Sequence, residues 1–350
     1  MNLAIVDISS KNHSSLVENW IRLAIFNNWK VSLFVSEDVL GNLDRELVSK
    51  SSLFTYKGQG ARLFLDSVYD ASKSGNIDRV VITSLQSQYI SFLFSKLRKC
   101  KYLITIHNVN AWCGICRKDT IKYLIKYAVR KLYLRSADAL LVSSSNLAKQ
   151  LVDILNVDKK IYIMPFRLLC DAPDKASKEY VVYPGMVSSD RKNYDTFYKL
   201  CINNPDVIFV LLGKASSHKD EALVSKFSEL DNVTTFRSYV PMSTFEYYLN
   251  RSLVIFGDLN VNYESFEYKE IYGRTKDTGL SYFSVENSVP LLVNREFVNI
   301  SNLEDMTCYF DGFSDAESKL RAIISSSIQF SFASAIEYSL PYLATKLRKI

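Results

Sequence analysis

Short apolar runs along this chain alternate with longer stretches whose apolar residues return at helical spacing. The first pattern predicts buried strands, and the second predicts amphipathic helices. Strands are predicted at 3–7, 30–36, 79–83, 102–106 and 139–142, with helices at 13–29, 62–74, 86–96, 117–134 and 146–155. Strands alternating with helices of this length mean βαβ units and a parallel sheet. A polar stretch at 171–178, carrying Pro173, interrupts the alternation and reads as a linker. The pattern then restarts, with strands at 180–183, 207–212, 233–236, 253–256 and 290–293 and helices at 194–202, 221–230, 243–249 and 278–287. Helical stretches at 315–326 and 330–347 close the chain, and Pro341 kinks or splits the second. The pattern predicts an α/β protein of two doubly wound, Rossmann-like parallel-sheet domains facing a cleft. Their bounds are 1–170 and 179–329, joined by the linker 171–178 and followed by the helical stretch 330–350.

Composition narrows this only a little. The 350 residues are 48% hydrophobic and 23% charged, which suits a globular protein and argues against disorder. Net charge is +6, a mild excess that permits an anionic partner without selecting one. No apolar run is long enough to predict a spanning helix, and the N-terminal residues do not read as a signal peptide. Six cysteines spread through such a chain are expected to be reduced thiols in the cytoplasm.

Several stretches carry candidate chemistry. Thr105-Ile106-His107-Asn108 brings His and Asn to the carboxyl end of a strand, where open α/β sheets keep their ligands. The segment Tyr183-Pro184-Gly185 runs into Arg191-Lys192 ahead of a helix. Glycine permits close backbone approach, and two cations at a helix start suit a diphosphate. Lys276-Asp277-Thr278-Gly279 precedes another helix, whose free N–H groups can hold phosphate or a sugar hydroxyl. Each of these also reads as an ordinary cap or local contact. Asp7, Lys11 and His13, around the loop after the first strand, are acceptor-side candidates. Trp112-Cys113-Gly114-Ile115-Cys116 has thioredoxin-type spacing, but it sits in a βα series of a different kind and reads as a chance or structural pair. In the helix from Arg117, residues Ile121, Leu124, Ile125, Ala128 and Leu132 form one face, with Lys118, Lys122, Lys126 and Arg130 as a flanking basic stripe. Such a helix lies on an anionic bilayer, or is a plain surface helix with solvated lysines.

Two doubly wound halves, T-I-H-N, the P-G-x5-R-K loop and a D-T-G-x10-P segment together resemble GT-B glycosyltransferases, nearest to family 4 and its bacterial polysaccharide-assembly relatives. The resemblance implies sugar transfer from a UDP- or GDP-sugar to a hydroxyl of a glycan or lipid-linked glycan, in capsule, O-antigen or exopolysaccharide assembly. It implies no cofactor, no metal and no nucleic acid, and a cytoplasmic protein peripheral on the inner membrane. Carried over by position, Gly185, Arg191, Lys192, Lys276, Thr278 and Gly279 bind the donor. His107, Asp277 and Glu286 are catalytic candidates, and Asp7, His13 and Asn108 lie on the acceptor side. The family's E-x7-E signature is missing: Thr275 and Phe283 stand in its two places, and Glu286 follows one helical turn later. A catalytically degenerate scaffold, a GT-B-like sugar-nucleotide epimerase and a thioredoxin-type oxidoreductase stay open beside the transferase.

Overall fold

The computed structural model describes the chain apart from residues 10–12, 59, 86–87, 114–120, 156–158, 170–176, 265–267, 301 and 349, and apart from the side chain of Lys122. Most of the expected linker therefore lies outside the described residues. So do Lys11, Cys116, Lys118 and the Lys122 side chain.

Among the described residues the first sheet has seven strands: β1 (Asn2–Asp7), β2 (Lys30–Ser36), β3 (Ser52–Tyr56), β4 (Arg79–Ser84), β5 (Tyr102–Thr105), β6 (Ala139–Val142) and β7 (Lys160–Ile163). Their order is β3-β2-β1-β4-β5-β6-β7, and every pairing is parallel. The second sheet holds β8 (Tyr180–Pro184), β9 (Ile208–Leu212), β10 (Val233–Thr235) and β11 (Ser252–Gly257). A small antiparallel hairpin, β12 (Asn262–Glu264) and β13 (Lys269–Ile271), leaves the sheet before β14 (Leu291–Asn294) and β15 (Thr307–Phe310) rejoin it. The order is β10-β9-β8-β11-β14-β15, again parallel throughout.

Both sheets are covered on both faces, as parallel sheets require. Along β1, Ala4 and Val6 pack with Phe64, Phe92 and Tyr133 on one side, while Leu3 and Ile5 pack with Trp20 and Leu23 on the other. In the second sheet Tyr183 and Phe209 meet Phe197 and Phe227, and Val182 and Val210 face Leu249 and Leu280. The sequence pattern did not predict β3, β7 or β15. All three are edge strands whose side chains are mostly exposed or half-buried, so they lack the apolar run that marks a buried strand.

The closing stretch breaks at Ser339. A 3-10 turn, Ala333–Tyr338, ends there, and the helix Leu340–Leu347 begins with Pro341 in its first turn, where proline's missing N–H costs nothing. Leu343, Ala344 and Leu347 of that helix are buried in the core beside the first sheet. The chain therefore finishes on the domain where it began.

Candidate functional site

In a doubly wound sheet, ligands gather at the carboxyl ends of the strands where the strand order reverses. In the second sheet that point lies between β8 and β11. Gly185 follows β8 with φ +91°, a left-handed conformation that favours glycine. Gly213 follows β9, and a Cβ there would sit 2.3 Å from the Gly185 carbonyl oxygen, so the two loops pass back to back only because this residue is glycine. Beside them is a cavity of about 280 Å³ lined by Gly185, Met186, Gly213, Met242, Phe245 and Phe283, with Arg167 from the chain just beyond the first sheet.

Three cations converge next to this cavity, and none has a carboxylate within ion-pair distance among the described residues. Lys192 Nζ donates to the carbonyl oxygens of Pro184 (2.8 Å) and Gly185 (3.2 Å) and lies 4.7 Å from the Tyr183 ring centroid. Arg191 donates to the Tyr263 hydroxyl at 3.3 Å and stacks over that ring at 5.0 Å. Lys276 lies 5.8 Å from the same ring and donates to Asn108 Oδ1 at 2.8 Å. Burial, with Arg191 nearby, pushes the Lys192 ammonium down to about 7. Burial and Arg191 also lower Lys276, against an opposing pull from Glu270. All three are half-buried, and a partly desolvated cation without a counter-ion is costly, so the group suits an anion. The helix Gly279–Asn287 begins close by in sequence. Thr278 caps it by accepting the Leu280 N–H, and Gly279 is exposed at its positive end.

The opposite wall is neutral. His107 follows β5, is buried, and sits with Nε2 2.7 Å from the Thr83 carbonyl oxygen. That acceptor requires the proton on Nε2 and leaves Nδ1 as a bare acceptor, with no partner among the described residues. His13 stacks on His107 at 3.9 Å with 12° between the rings, and Phe166 stacks beyond at 5.4 Å from His107. Burial first and Lys276 second push His13 down to about 4. Burial, His13 and Lys276 hold His107 well below its ordinary value, against the Thr83 hydrogen bond.

No family model and no curated protein sequence matches the chain. Solved structures do. HepE of Anabaena, in complex with UDP, superposes with a TM-score of 0.66 at 10% identity, covering 100% of this chain and 99% of that one. A glycosyltransferase of Rickettsia africae ESF-5 gives 0.62 at 13% identity over 99% and 96%. UDP-GlcNAc 2-epimerase from Neisseria meningitidis, bound to UDP-GlcNAc, gives 0.61 at 11% identity over 100% of both chains. The chain has the GT-B fold. Identities this low establish the fold and nothing finer.

Within this GT-B frame several candidates stand in places the sequence did not suggest. Asp277 is buried, and its oxygens accept from Ser143 Oγ (2.5 Å), Ser144 Oγ (3.0 Å) and Tyr282 Oη (2.7 Å). Both serines sit at the end of β6, so the carboxylate ties the domains together rather than facing the cavity. Burial raises it, and its three donors pull it back. Glu286 is held by Arg167 at 3.0 Å. Asp7 is fully buried, accepting from the Thr83 hydroxyl at 2.8 Å and the Ser9 N–H at 3.1 Å, so it braces the loop after β1 and does not reach an acceptor. Arg130 is buried rather than membrane-facing: it donates to the Ala111 carbonyl and to the Tyr268 hydroxyl. Asn108 bridges the domains, pairing its backbone with Lys276 and accepting from that side chain. Burial, with Glu270 adding to it, pushes the Cys113 thiol up to about 12, the reverse of a reactive thiolate. Arg167, Phe166, Gly213 and the Ser143–Ser144–Tyr282 clasp were not read from the sequence. Arg167 follows an edge strand without any motif, and only the Gly213-Lys214 step after β9 offered a local sign, parallel to Gly185 after β8.

Proposed function

We propose that the chain transfers a hexosyl group from a nucleoside-diphosphate sugar, UDP- or GDP-linked, to a hydroxyl of a glycan or lipid-linked glycan in bacterial cell-surface polysaccharide assembly. The observation that carries this is the set of Arg191, Lys192 and Lys276, unpaired by carboxylates among the described residues, beside an apolar cavity. As the glycosidic bond breaks, the departing nucleoside diphosphate gains charge. The three cations and the head of the helix Gly279–Asn287 are placed to stabilise it, with no metal required. The cavity's flat and flexible apolar groups, Phe245, Phe283 and Met186, suit a nucleobase. Structures of the same fold hold UDP and UDP-GlcNAc. On this reading the neutral imidazoles of His13 and His107 face the uncharged sugar.

Turnover with a panel of UDP- and GDP-sugars, using cell-envelope lipid extract as acceptor, tests the proposal. The expected result is nucleoside diphosphate release with sugar carried to the lipid fraction, at a rate unchanged by EDTA. Absence of release with every donor would sink the transferase reading, and tight UDP binding in that case would favour a scaffold. An epimerase shares the fold at comparable similarity. Conversion of one UDP-sugar to another without acceptor would select that reading. The engagement of Asp277 by Ser143, Ser144 and Tyr282, and of Glu286 by Arg167, weighs against it, because neither carboxylate is free to move a sugar proton.

A further inference from the structure

Arg191 and Lys276 come from different loops and share one aromatic ring. The Arg191 guanidinium lies 5.0 Å from the Tyr263 ring centroid, and Lys276 Nζ lies 5.8 Å from it. At such distances the negative face of a ring attracts a cation. Two like charges on one ring repel each other, and no carboxylate stands within ion-pair distance of either among the described residues. The hairpin that carries the ring does hold carboxylates, but the fold turns them elsewhere. Glu264, the residue after Tyr263, pairs with Lys269 across the hairpin at 2.8 Å. Glu270, directly opposite Tyr263 on β13, accepts the Ala111 N–H of the first domain at 2.9 Å.

The ring itself is fixed from three directions. The pairing of β12 with β13 sets its backbone. Tyr272, which is buried, packs against it with 5.7 Å between ring centroids. The segment leading into it is laced to the loop that carries the cations: Leu259 bridges to Lys192, and Asn260 donates its N–H to the Arg191 carbonyl oxygen at 3.0 Å. The Tyr263 hydroxyl completes the hold by accepting from the Arg191 guanidinium at 3.3 Å. A carboxylate in this place would steady the same two cations but would compete with any anionic ligand for them. A neutral ring steadies them without that competition. We propose that Tyr263 is a positioning residue of the anion site, its ring holding Arg191 and Lys276 in place while their charge stays available to a diphosphate. The proposal rests on the donor reading of the cleft and adds to it a group that lies outside both donor-binding loops.

Calorimetric titration of the full chain with inorganic pyrophosphate, and separately with UDP, tests the role of the ring. Tyr263→Leu is expected to weaken both ligands by about tenfold. Tyr263→Phe keeps the ring and is expected to bind both within about threefold of the wild type. Tyr263→Glu is expected to fold, to pair with the two cations, and to weaken pyrophosphate by on the order of a hundredfold. Thermal unfolding is followed in parallel, because a ring that only packs would lower Tm in Tyr263→Leu and leave ligand affinity unmoved. Tyr263→Leu binding both ligands like the wild type would overturn the proposal. So would Tyr263→Phe as weak as Tyr263→Leu, since the hydroxyl and not the ring would then hold Arg191. If Tyr263→Leu does not fold, Tyr263→Glu decides, and undiminished pyrophosphate binding by it overturns the proposal. A wild type that binds neither ligand overturns the donor reading and this proposal together. Pyrophosphate binding with no sugar transferred from any donor sinks the transferase alone and leaves the role of Tyr263 standing.

Discussion

The two walls of the cleft are built with opposite electrostatics. The second-domain wall gathers Arg191, Lys192 and Lys276 around Tyr183 and Tyr263, with no carboxylate in ion-pair reach among the described residues. The first-domain wall presents His13 and His107, stacked and kept neutral in part by Lys276 itself. One wall is therefore cationic and the other uncharged. Lys276, tied to Asn108 across the gap, is where they meet. On the proposed reaction, the leaving diphosphate belongs to the first kind of wall and the sugar to the second. The walls should then fail differently when cut.

The largest expected effect is on the cationic wall. Arg191→Ala combined with Lys192→Ala should lower kcat/KM by about a thousandfold or more, and UDP affinity with it, since each removed charge contact to an anion is worth roughly 1.5–3 kcal/mol. Calorimetric titration with UDP checks this without any acceptor. His107→Ala should act on the other quantity, with kcat falling by about a hundredfold while UDP affinity holds. If His107→Ala weakened UDP as much as the double variant does, the division between the walls would collapse.

A pH series sharpens the same contrast. Burial, with Arg191 beside it, holds the Lys192 ammonium down to about 7. A bound diphosphate favours its charged form, so above pH 7 binding must take up a proton. The terminal phosphate already carries its full charge there. UDP affinity should fall as pH rises from 7 to 9, by up to about tenfold per unit. Lys192→Arg should flatten the slope, because the guanidinium keeps its charge throughout. The shift also has a stability sign. Between about 7 and the ordinary lysine range the unfolded chain holds a proton that the fold does not, so the ligand-free protein gains stability as pH rises through that window.

The cationic wall was legible in the sequence because its signals are local. A strand, Pro184-Gly185, and two cations at a helix start all fall within one βα turn, and the fold places them together without help from elsewhere. The clasp was not legible for the opposite reason. Asp277 carries the same local signature as a donor-facing cap, and nothing near it in sequence shows that Ser143 and Ser144, from the other domain, will take its oxygens. Periodicity found the apolar face of the helix Ile121–Ser136 but left open which way it points. That depends on Arg130 meeting Ala111 and Tyr268, one contact near and one distant in sequence. Edge strands β3, β7 and β15 escaped because an edge needs no apolar run, and Arg167 escaped with them because it follows β7.

The smallest expected effect tests whether the clasp is separate from the site. Tyr282 is fully buried, and its hydroxyl lies 2.7 Å from Asp277 Oδ2 and 2.9 Å from the Ser143 carbonyl oxygen. Tyr282→Phe keeps the ring that packs edge-on against Phe166 at 5.4 Å and removes only the donor. Asp277 then keeps the two serine hydroxyls, so the loss should be that of one hydrogen bond to a charged acceptor, about 1.5 to 3 kcal/mol. Thermal unfolding should show a fall in Tm of a few degrees for a chain of this size. UDP affinity should stay within about twofold, because Arg191 and Lys192 are held by Tyr263, Pro184 and Gly185 rather than by the clasp. A loss of UDP affinity matching the loss of stability would mean that Asp277 positions Lys276 through the backbone they share. The clasp would then belong to the cationic wall.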